Sequence, residues 1–247
     1  MTPPLSPTQV YTYFGDWDNT FVLYFGAQPS TDYTVRIGPG IADRYGNTTG
    51  QELTVRFRTA PLDPQAWLHV PGTVGTYSAY EPARLFVAHC NTDRLDLTLH
   101  RLTLADYFVA MQDWYSFAPA TGGIVRQWSL NVEAPLNETR YAPVELVAGG
   151  GSLEPGLYLL DMRADGVSYE RWSHRHLIVV SAVNLTLKTE QGETLAWATD
   201  LETGEPVAGV ELTFYDWQGQ RRGAAAVTDG DGLASLTGSG TDWFATY

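Results

Sequence analysis

The stretch 95–102, LDLTLHRL, alternates apolar and polar residues along most of its length. Successive side chains of a β-strand point to opposite faces of the sheet, so this strand is predicted to bury one face. Similar runs recur at 33–37, 53–59 and 210–215, and glycine, proline, asparagine or aspartate separates the runs. The pattern predicts an all-β fold of stacked sandwiches, in which each strand buries one side against a second sheet.

One segment, 103–117, departs from this alternation. Apolar and aromatic residues recur there at three- and four-residue spacing, namely Leu104, Tyr107, Phe108, Met111 and Tyr115. Thr103 and Asp106 are spaced as in a capping box, with aspartate in place of the usual glutamate. The segment therefore predicts one short amphipathic helix in the middle domain, as a crossover that covers one end of a sandwich.

Two boundaries divide the chain into three predicted modules. Paired prolines in 60–64 follow a finished strand, and a new strand run opens just after 181–184. We call residues 1–62 the first module, 63–181 the second and 182–247 the third. An immunoglobulin-type sandwich takes about 100 residues, so the first module is expected to be partial and the third incomplete, as in a window cut from a longer chain.

Composition excludes several classes of protein. The chain has 247 residues, 44% hydrophobic residues and a formal net charge of −13, which argues against disorder, nucleic-acid binding and attraction to anionic membranes. The longest apolar stretch, 177–183, is too short for a membrane span, and residues 1–7 lack the features of a signal peptide. We therefore expect no nucleic-acid partner and no membrane insertion of this segment.

The first module resembles the closing half of a bacterial immunoglobulin-like domain. The resemblance rests on YTVRIG at 33–38, IADRYGN at 41–47 and VRFRT at 55–59. Gly46 and Asn47 tolerate the positive φ that a turn between paired strands needs.

The rest of the chain resembles the macroglobulin (MG) domains of bacterial α2-macroglobulins. In the third module, TDLETGEPVAGV at 199–210, FYDWQG at 214–219 and TDGDGLA at 228–234 follow the order of three motifs in that family. In the second module, LEPGLYLL at 153–160 is similar to the "PGxYxL" motif. YEPA at 80–83 is similar to "YxPG", with Ala83 in place of the glycine.

This resemblance implies a part of a protease trap, located in the periplasm or cell envelope, whose targets are proteases. Members of the family trap a protease after it cleaves a bait region, and a Cys-x-Glu-Gln thioester can bond to it. The single cysteine, Cys90, lies in HCNTD and cannot form such a thioester. The loops 119–123 and 149–152 are too short for a bait region. The resemblance therefore implies scaffold modules that contact neighbouring domains of the same chain, with no enzymatic activity and no cofactor.

Several other residues have both a functional and a structural interpretation. Cys90 is either a reactive thiol or a small buried hydrophobe, and the second is favoured. His174 and His176 lie on one strand face and offer two metal ligands, Glu170 being the nearest carboxylate in sequence, but no ligand pattern accompanies them. We therefore assign no catalytic, cofactor-binding or metal-binding residue.

Three further patterns have structural alternatives. Asp229-Gly230-Asp231-Gly232 resembles the start of a calcium loop, but Leu233 and Gly240 occupy the later ligand positions, so a hairpin turn is favoured. The pairs Trp114-Tyr115 and Asp216-Trp217 supply aromatic rings that are candidates for stacking against sugar rings. Sequons begin at Asn47, Asn137 and Asn184. Two alternatives to the trap scaffold remain open: an adhesive surface protein of immunoglobulin-like repeats, and a carbohydrate-binding module of a secreted enzyme.

Overall fold

The structure, a computed structural model, describes residues 1–4, 10–15, 17, 20–42, 45–120, 123–169, 174–190, 193–237 and 244–246, with backbone alone for 236–237 and 244–246. Within these residues it contains eighteen strands and one α-helix, which confirms the predicted all-β class with a short helix in the middle. The first nine strands are β1 (Val10–Gly15), β2 (Thr20–Phe25), β3 (Asp32–Ile37), β4 (Leu53–Arg58), β5 (Gln65–His69), β6 (Val74–Ser78), β7 (Arg84–Cys90), β8 (Arg94–Leu102) and β9 (Ile124–Asn131), with α1 (Leu104–Gln112) between β8 and β9. The others are β10 (Arg140–Glu145), β11 (Gly156–Ala164), β12 (Arg175–Ser181), β13 (Val183–Glu190), β14 (Glu193–Asp200), β15 (Glu211–Tyr215), β16 (Arg221–Val227), β17 (Leu233–Thr237) and β18 (Phe244–Thr246).

Each hydrogen-bonded sheet that the structure describes lies within one of the three modules. The first module has the pairs β1–β2 and β3–β4, and the second has a sheet β10–β7–β5 and a sheet β6–β12–β11–β8–β9. The third has β13–β14–β17 and β16–β15–β18. The boundaries at 62/63 and 181/182 stay predictions, and we keep the module names for convenience.

The two small sheets of the first module face each other through aromatic rings. The ring of Phe25 lies 5.4 Å from that of Tyr33 and 6.3 Å from that of Phe57, measured between centroids. In β4, however, the expectation of one buried face is wrong, because every residue of this strand is exposed, Leu53 and Val55 included. The reason is geometric: β4 is at the edge of a two-stranded sheet, and the facing sheet is too narrow to cover it.

The second module holds the largest core. Leu95, Leu97 and Leu99 of β8 are fully buried between its two sheets, as the alternation at 95–102 predicts. Leu102 points to the opposite face, where it is buried with Leu159 beneath the helix. The five-stranded sheet is therefore covered on both faces at this end, and α1 lies over its outer face.

The helix begins as its sequence predicts. Thr103 is the N-cap, its hydroxyl accepts a hydrogen bond from the Asp106 N–H, and the Asp106 carboxylate accepts one from the Thr103 N–H. The helix connects β8 to β9, which are neighbours in one sheet, so the expectation of a crossover over the end of the sandwich is wrong. Tyr115 lies beyond the helix and is exposed. At nine residues, α1 is too short to cross a membrane, and it is the sole helix in the described parts of the chain.

A parallel strand pair closes one edge of the five-stranded sheet around a buried histidine. β6 runs parallel to β12, and His176 of β12 is fully buried beside it. The Nδ1 atom lies 3.1 Å from the Gly72 carbonyl oxygen, which can only accept, so Nδ1 carries the proton. Nε2 then accepts a hydrogen bond from the Tyr77 hydroxyl at 3.1 Å. This pairing leaves no space at Gly75, where a Cβ atom would lie 2.7 Å from Nε2.

We therefore expect Gly75→Ala to destabilise the second module by about 1–3 kcal/mol, because the new methyl group forces His176 or Tyr77 out of position. Chemical denaturation measures the change. Gly230→Ala is the matched control, since a Cβ atom there would meet nothing within 4 Å. Equal stability of the two variants would contradict this role of Gly75.

Candidate functional site: the two joints between modules

Residues with a left-handed backbone conformation lie at the joint between the first and second modules. Among the described residues, three other than glycine have positive φ, and these are Ser30 (51°), Asn91 (52°) and Asn137 (65°). Such conformations cost free energy and tend to occur where a specific geometry is needed. All three lie together, although 107 positions separate the first from the last in sequence.

Hydrogen bonds connect these three residues and Leu62 into one unit, which we call the asparagine clasp (Ser30, Leu62, Asn91 and Asn137). The Asn137 Nδ2 donates to the Ser30 hydroxyl at 3.0 Å, and the Asn137 N–H donates to Asn91 Oδ1 at 2.7 Å. The two asparagine side chains also meet directly, with Asn91 Nδ2 3.2 Å from Asn137 Oδ1. The clasp therefore joins the β2–β3 loop of the first module to the β7–β8 and β9–β10 loops of the second module.

The clasp also holds the chain that connects the modules. Leu62 lies between β4 and β5; its N–H donates to Asn137 Oδ1 at 2.8 Å and its carbonyl accepts from Asn91 Nδ2 at 2.7 Å. Just before it, the Ala60 carbonyl accepts a hydrogen bond from the Ser30 N–H at 3.0 Å. Because both the N–H and the carbonyl group of Leu62 are hydrogen-bonded, the connecting segment is restrained. The first module therefore has a defined orientation relative to the second.

The joint between the second and third modules has almost no connector. β12 ends at Ser181 and β13 begins at Val183, so Ala182 alone separates the two strands. The Val183 N–H donates to the Ser181 hydroxyl at 2.9 Å, and the Ala182 carbonyl accepts from the Leu201 N–H at 2.9 Å. A one-residue connection with these bonds restricts rotation between the modules.

A hydrogen bond between two of the sequence motifs crosses the second joint. The hydroxyl of Tyr80, in the YEPA motif, donates to the Asp200 Oδ2 atom at 2.7 Å. The other carboxylate oxygen of Asp200 accepts from the N–H groups of Glu202 and Thr203, both at 2.9 Å. The Tyr80 hydrogen bond and the Thr203 N–H together lower the pKa of Asp200, which keeps the acceptor ionised.

An aromatic contact completes this joint on the helix side. Phe108 is 6% exposed, yet it lies outside the cluster of residues beneath the helix, because its ring points to the third module. Its centroid lies 5.5 Å from that of Tyr215, and a Cβ atom at Gly219 would be 2.9 Å from its ring. Gly219 has a φ of +73°, so both its backbone and its missing side chain suit this position. Nearby, Gln112 Nε2 donates to the Trp217 carbonyl at 3.2 Å.

A largely buried ion pair, which no sequence motif identifies, fixes the loop after the helix. Asp161 of β11 pairs with Arg175 of β12 at 2.7 Å, and each side chain is 14% exposed. Arg175 Nη1 also donates to the Phe117 carbonyl at 2.7 Å. The available signal was a pair of charged residues next to apolar strand runs, at 157–162 and 175–180.

Four wholly or partly buried histidines give the second module a pH dependence. Burial lowers the pKa of His89, His100, His174 and His176. Each is then neutral in the folded state and more basic in the unfolded chain, so unfolding takes up protons in acid. This contribution to stability is complete above the unfolded pKa of about 6.5 and is lost as the pH falls below it.

We therefore expect the free energy of unfolding to fall between pH 7.5 and pH 5, by roughly 1.4 kcal/mol per pH unit for each proton taken up. Denaturation at a series of pH values measures this slope. His100→Gln, which removes one of the four groups, is expected to reduce it. A stability that does not change over this interval would contradict the assignment.

The two histidine candidates for a metal site have separate partners. His176 is held by Gly72 and Tyr77, whereas the His174 ring lies 4.7 Å from that of Tyr169. Among the residues that the structure describes, no group of three histidine, cysteine or carboxylate side chains is placed to hold a metal ion. Glu170 lies outside the described residues. Cys90 is fully buried at the end of β7.

The remaining candidates have structural roles. Asp229 Oδ1 accepts from the N–H groups of Asp231 and Leu233, so 229–232 is a tight turn. The expectation of a hairpin is wrong, because this turn connects β16 to β17, which belong to different sheets. Gly240 lies outside the described residues. Trp114 packs beneath the helix, so it forms no exposed pair with Tyr115. Asn137 begins one sequon, and its side chain is hydrogen-bonded within the clasp. In the loop 119–123, residues 121 and 122 lie outside the described residues, as do 43 and 44 of the immunoglobulin-like motif.

Comparison with solved structures shows the fold of the chain. An α2-macroglobulin from Salmonella reacted with methylamine matches 96% of this chain at 15% identity with a TM-score of 0.75, over 14% of its own length. A native α2-macroglobulin from Escherichia coli spanning domains MG0-NIE-MG1 matches 96% of this chain and 78% of that structure, at 15% identity and a TM-score of 0.63. No protein-family model and no curated protein sequence matches the chain.

The resemblance stated from the sequence motifs is thus confirmed at the level of the fold. A second structure from Escherichia coli, spanning NIE-MG1, matches 75% of this chain and 93% of that structure, at 14% identity and a TM-score of 0.56. The chain spans about one seventh of the length of the Salmonella protein.

Proposed function

We propose that this chain is a non-catalytic scaffold within an α2-macroglobulin-like protease trap of the bacterial envelope. Its task is to hold three β-modules in one arrangement, so that domains elsewhere in the protein are positioned before a protease cleaves. Proteases are the targets of the whole protein, and neighbouring domains are the direct partners of this segment. The similarity of fold to the bacterial α2-macroglobulins supports this proposal.

The observation that carries the proposal is the Tyr80–Asp200 hydrogen bond. Both residues belong to motifs that resemble MG domains, and the bond connects the second module to the third at 2.7 Å. Asp200 is held in turn by the N–H groups of its own turn, which fixes the direction of its carboxylate. Motif residues in this chain thus act across a joint as well as within a module, as a scaffold function requires.

The two joints differ in their chemistry, which suits a framework that must be stiff. The clasp at the first joint is made of amide and hydroxyl hydrogen bonds that depend on direction. The second joint combines a one-residue connector, one hydrogen bond to a carboxylate and an aromatic contact at Phe108. Apolar contact supplies attraction without direction, and the hydrogen bonds supply the direction.

A protease assay on the complete natural protein that contains this chain tests the proposal. We expect trypsin mixed with that protein to lose activity on a large substrate such as casein while it still cleaves a small peptide substrate. Residues 1–247 alone are the control and are expected to leave both activities unchanged. If the complete protein leaves casein cleavage at its original rate, the trap function is wrong.

A further inference from the structure

A row of exposed tyrosines lies on the outer face of the β1–β2 hairpin. Tyr11, Tyr13 and Tyr24 are 64%, 48% and 70% exposed. Tyr11 and Tyr24 are direct partners in the strand register, and Tyr13 is two positions along β1 from Tyr11. Partners across an antiparallel pair and residues two apart share a face, so the three rings form one surface, which we call the tyrosine platform (Tyr11, Tyr13 and Tyr24).

The platform faces away from the interior of the first module. Phe25, next to Tyr24, points to the other face, where its ring contacts Tyr33 and Phe57. On the platform side, the Tyr11 and Tyr13 rings lie 5.9 Å apart between centroids at an interplanar angle of 40°. The rings thus support each other and present phenol faces and hydroxyl groups outward.

The side chains of the two strands favour an uncharged ligand. No lysine, arginine, aspartate or glutamate occurs in either strand, VYTYFG or TFVLYF, within a chain of net charge −13. Nucleic acid also stacks on aromatic rings, but it needs the cationic groups that this face lacks. Tyrosine combines a flat apolar ring with a hydroxyl group, which fits a ligand with flat C–H faces and many hydroxyl groups.

The size of the platform argues against a folded protein as the ligand. Two six-residue strands cover a face of about 20 Å by 10 Å, or about 200 Å². A stable protein interface buries about 800 Å² on each partner, roughly four times as much. An extended chain of sugar rings needs only such a narrow strip.

We propose that the tyrosine platform binds an uncharged β-1,4-linked polysaccharide, by stacking sugar rings on the tyrosine rings. The β-1,4 linkage gives an extended and flat chain, whereas an α-1,4-linked chain curls and presents fewer ring faces in a row. This site is separate from both joints, so the proposal does not depend on the protease-trap function. It also differs from the aromatic candidates Trp114, Tyr115 and Trp217.

Titration of residues 1–247 with soluble oligosaccharides tests the site. Cellohexaose and chitohexaose are the probes, maltohexaose is the α-linked comparison, and calorimetry measures the dissociation constants. We expect one or both β-linked probes to bind more tightly than maltohexaose. The double variant Tyr11→Ala/Tyr24→Ala is expected to weaken that binding by about tenfold or more, since two aromatic contacts are removed.

Matched variants separate stacking from a general loss of structure. Tyr115→Ala removes a tyrosine that is 79% exposed in the second module, and it is expected to bind as the unaltered chain does. Tyr11→Phe retains the ring and is expected to retain most of the binding. In the unaltered chain, the aromatic NMR signals of the three tyrosines are expected to shift upon addition of the β-linked probe.

Three outcomes would overturn the proposal. The first is no binding of either β-linked probe by the unaltered chain. The second is equal binding by the double variant and the unaltered chain. The third is binding to vesicles of uncharged phosphatidylcholine that the double variant loses while neither sugar binds, which would assign the platform to a membrane surface.

Discussion

Phe108→Ala is expected to separate the unfolding of the third module from that of the second. The ring is 6% exposed and fills the space left by Gly219, so its removal leaves a cavity at the joint. Removal of a buried phenylalanine costs about 3 kcal/mol or more, and here the loss falls on the contact between modules. Chemical denaturation is expected to change from one transition to two, and amide exchange within 211–227 is expected to accelerate.

Tyr115→Ala is the control for this result, because Tyr115 is an exposed aromatic residue a short distance beyond the same helix. We expect it to change the free energy of unfolding by less than about 0.5 kcal/mol. If Phe108→Ala lowers stability but leaves exchange in 211–227 unchanged, the ring supports the helix and not the joint.

Asn137→Ala is expected to free the first module from the second. The substitution removes three side-chain hydrogen bonds of the clasp, those with Ser30, Leu62 and Asn91. Each contributes about 1 kcal/mol, and alanine at a φ of 65° adds strain of about 1–2 kcal/mol. The total expected loss is about 4–5 kcal/mol, and the Leu62 amide should lose its protection from exchange.

A second substitution at the same position separates these two contributions. Asn137→Gly also removes the hydrogen bonds but adopts positive φ without strain, so it is expected to be more stable than Asn137→Ala by about 1 kcal/mol. Asn184→Ala, at a sequon asparagine outside the clasp, serves as the control and is expected to have little effect. An Asn137→Ala variant with a protected Leu62 amide would contradict the role of the clasp.

The sequence predicts those structural features that depend on neighbouring residues in the chain. The alternation at 95–102 identifies the buried leucines, and Thr103 with Asp106 predicts the start of the helix, because strand periodicity and capping depend on neighbours in sequence. The same rules fail at β4, whose alternation is as regular as that of β3. Whether an apolar face is covered depends on how many strands the opposite sheet has, which the strand's own sequence does not encode.

The joints could be predicted only in part. Tyr80 and Asp200 stand out within motifs, but their contact spans 120 positions and depends on how two modules meet. Asn137 carries no signal beyond a sequon and Asn91 carries none, since positive φ is a property of the folded backbone. Asp161 and Arg175 lie beside apolar strand runs, but nothing in either run identifies the partner on the neighbouring strand.

We expect the two joints to hold the three modules in one arrangement. A pulsed EPR measurement between spin labels at Arg56→Cys in the first module and Glu202→Cys in the third tests it most directly; Cys90 stays in place because it is fully buried. We expect one narrow distance distribution for the otherwise unaltered chain, and a broad one when Asn137→Ala and Phe108→Ala are added. A broad distribution before these substitutions are introduced would contradict it.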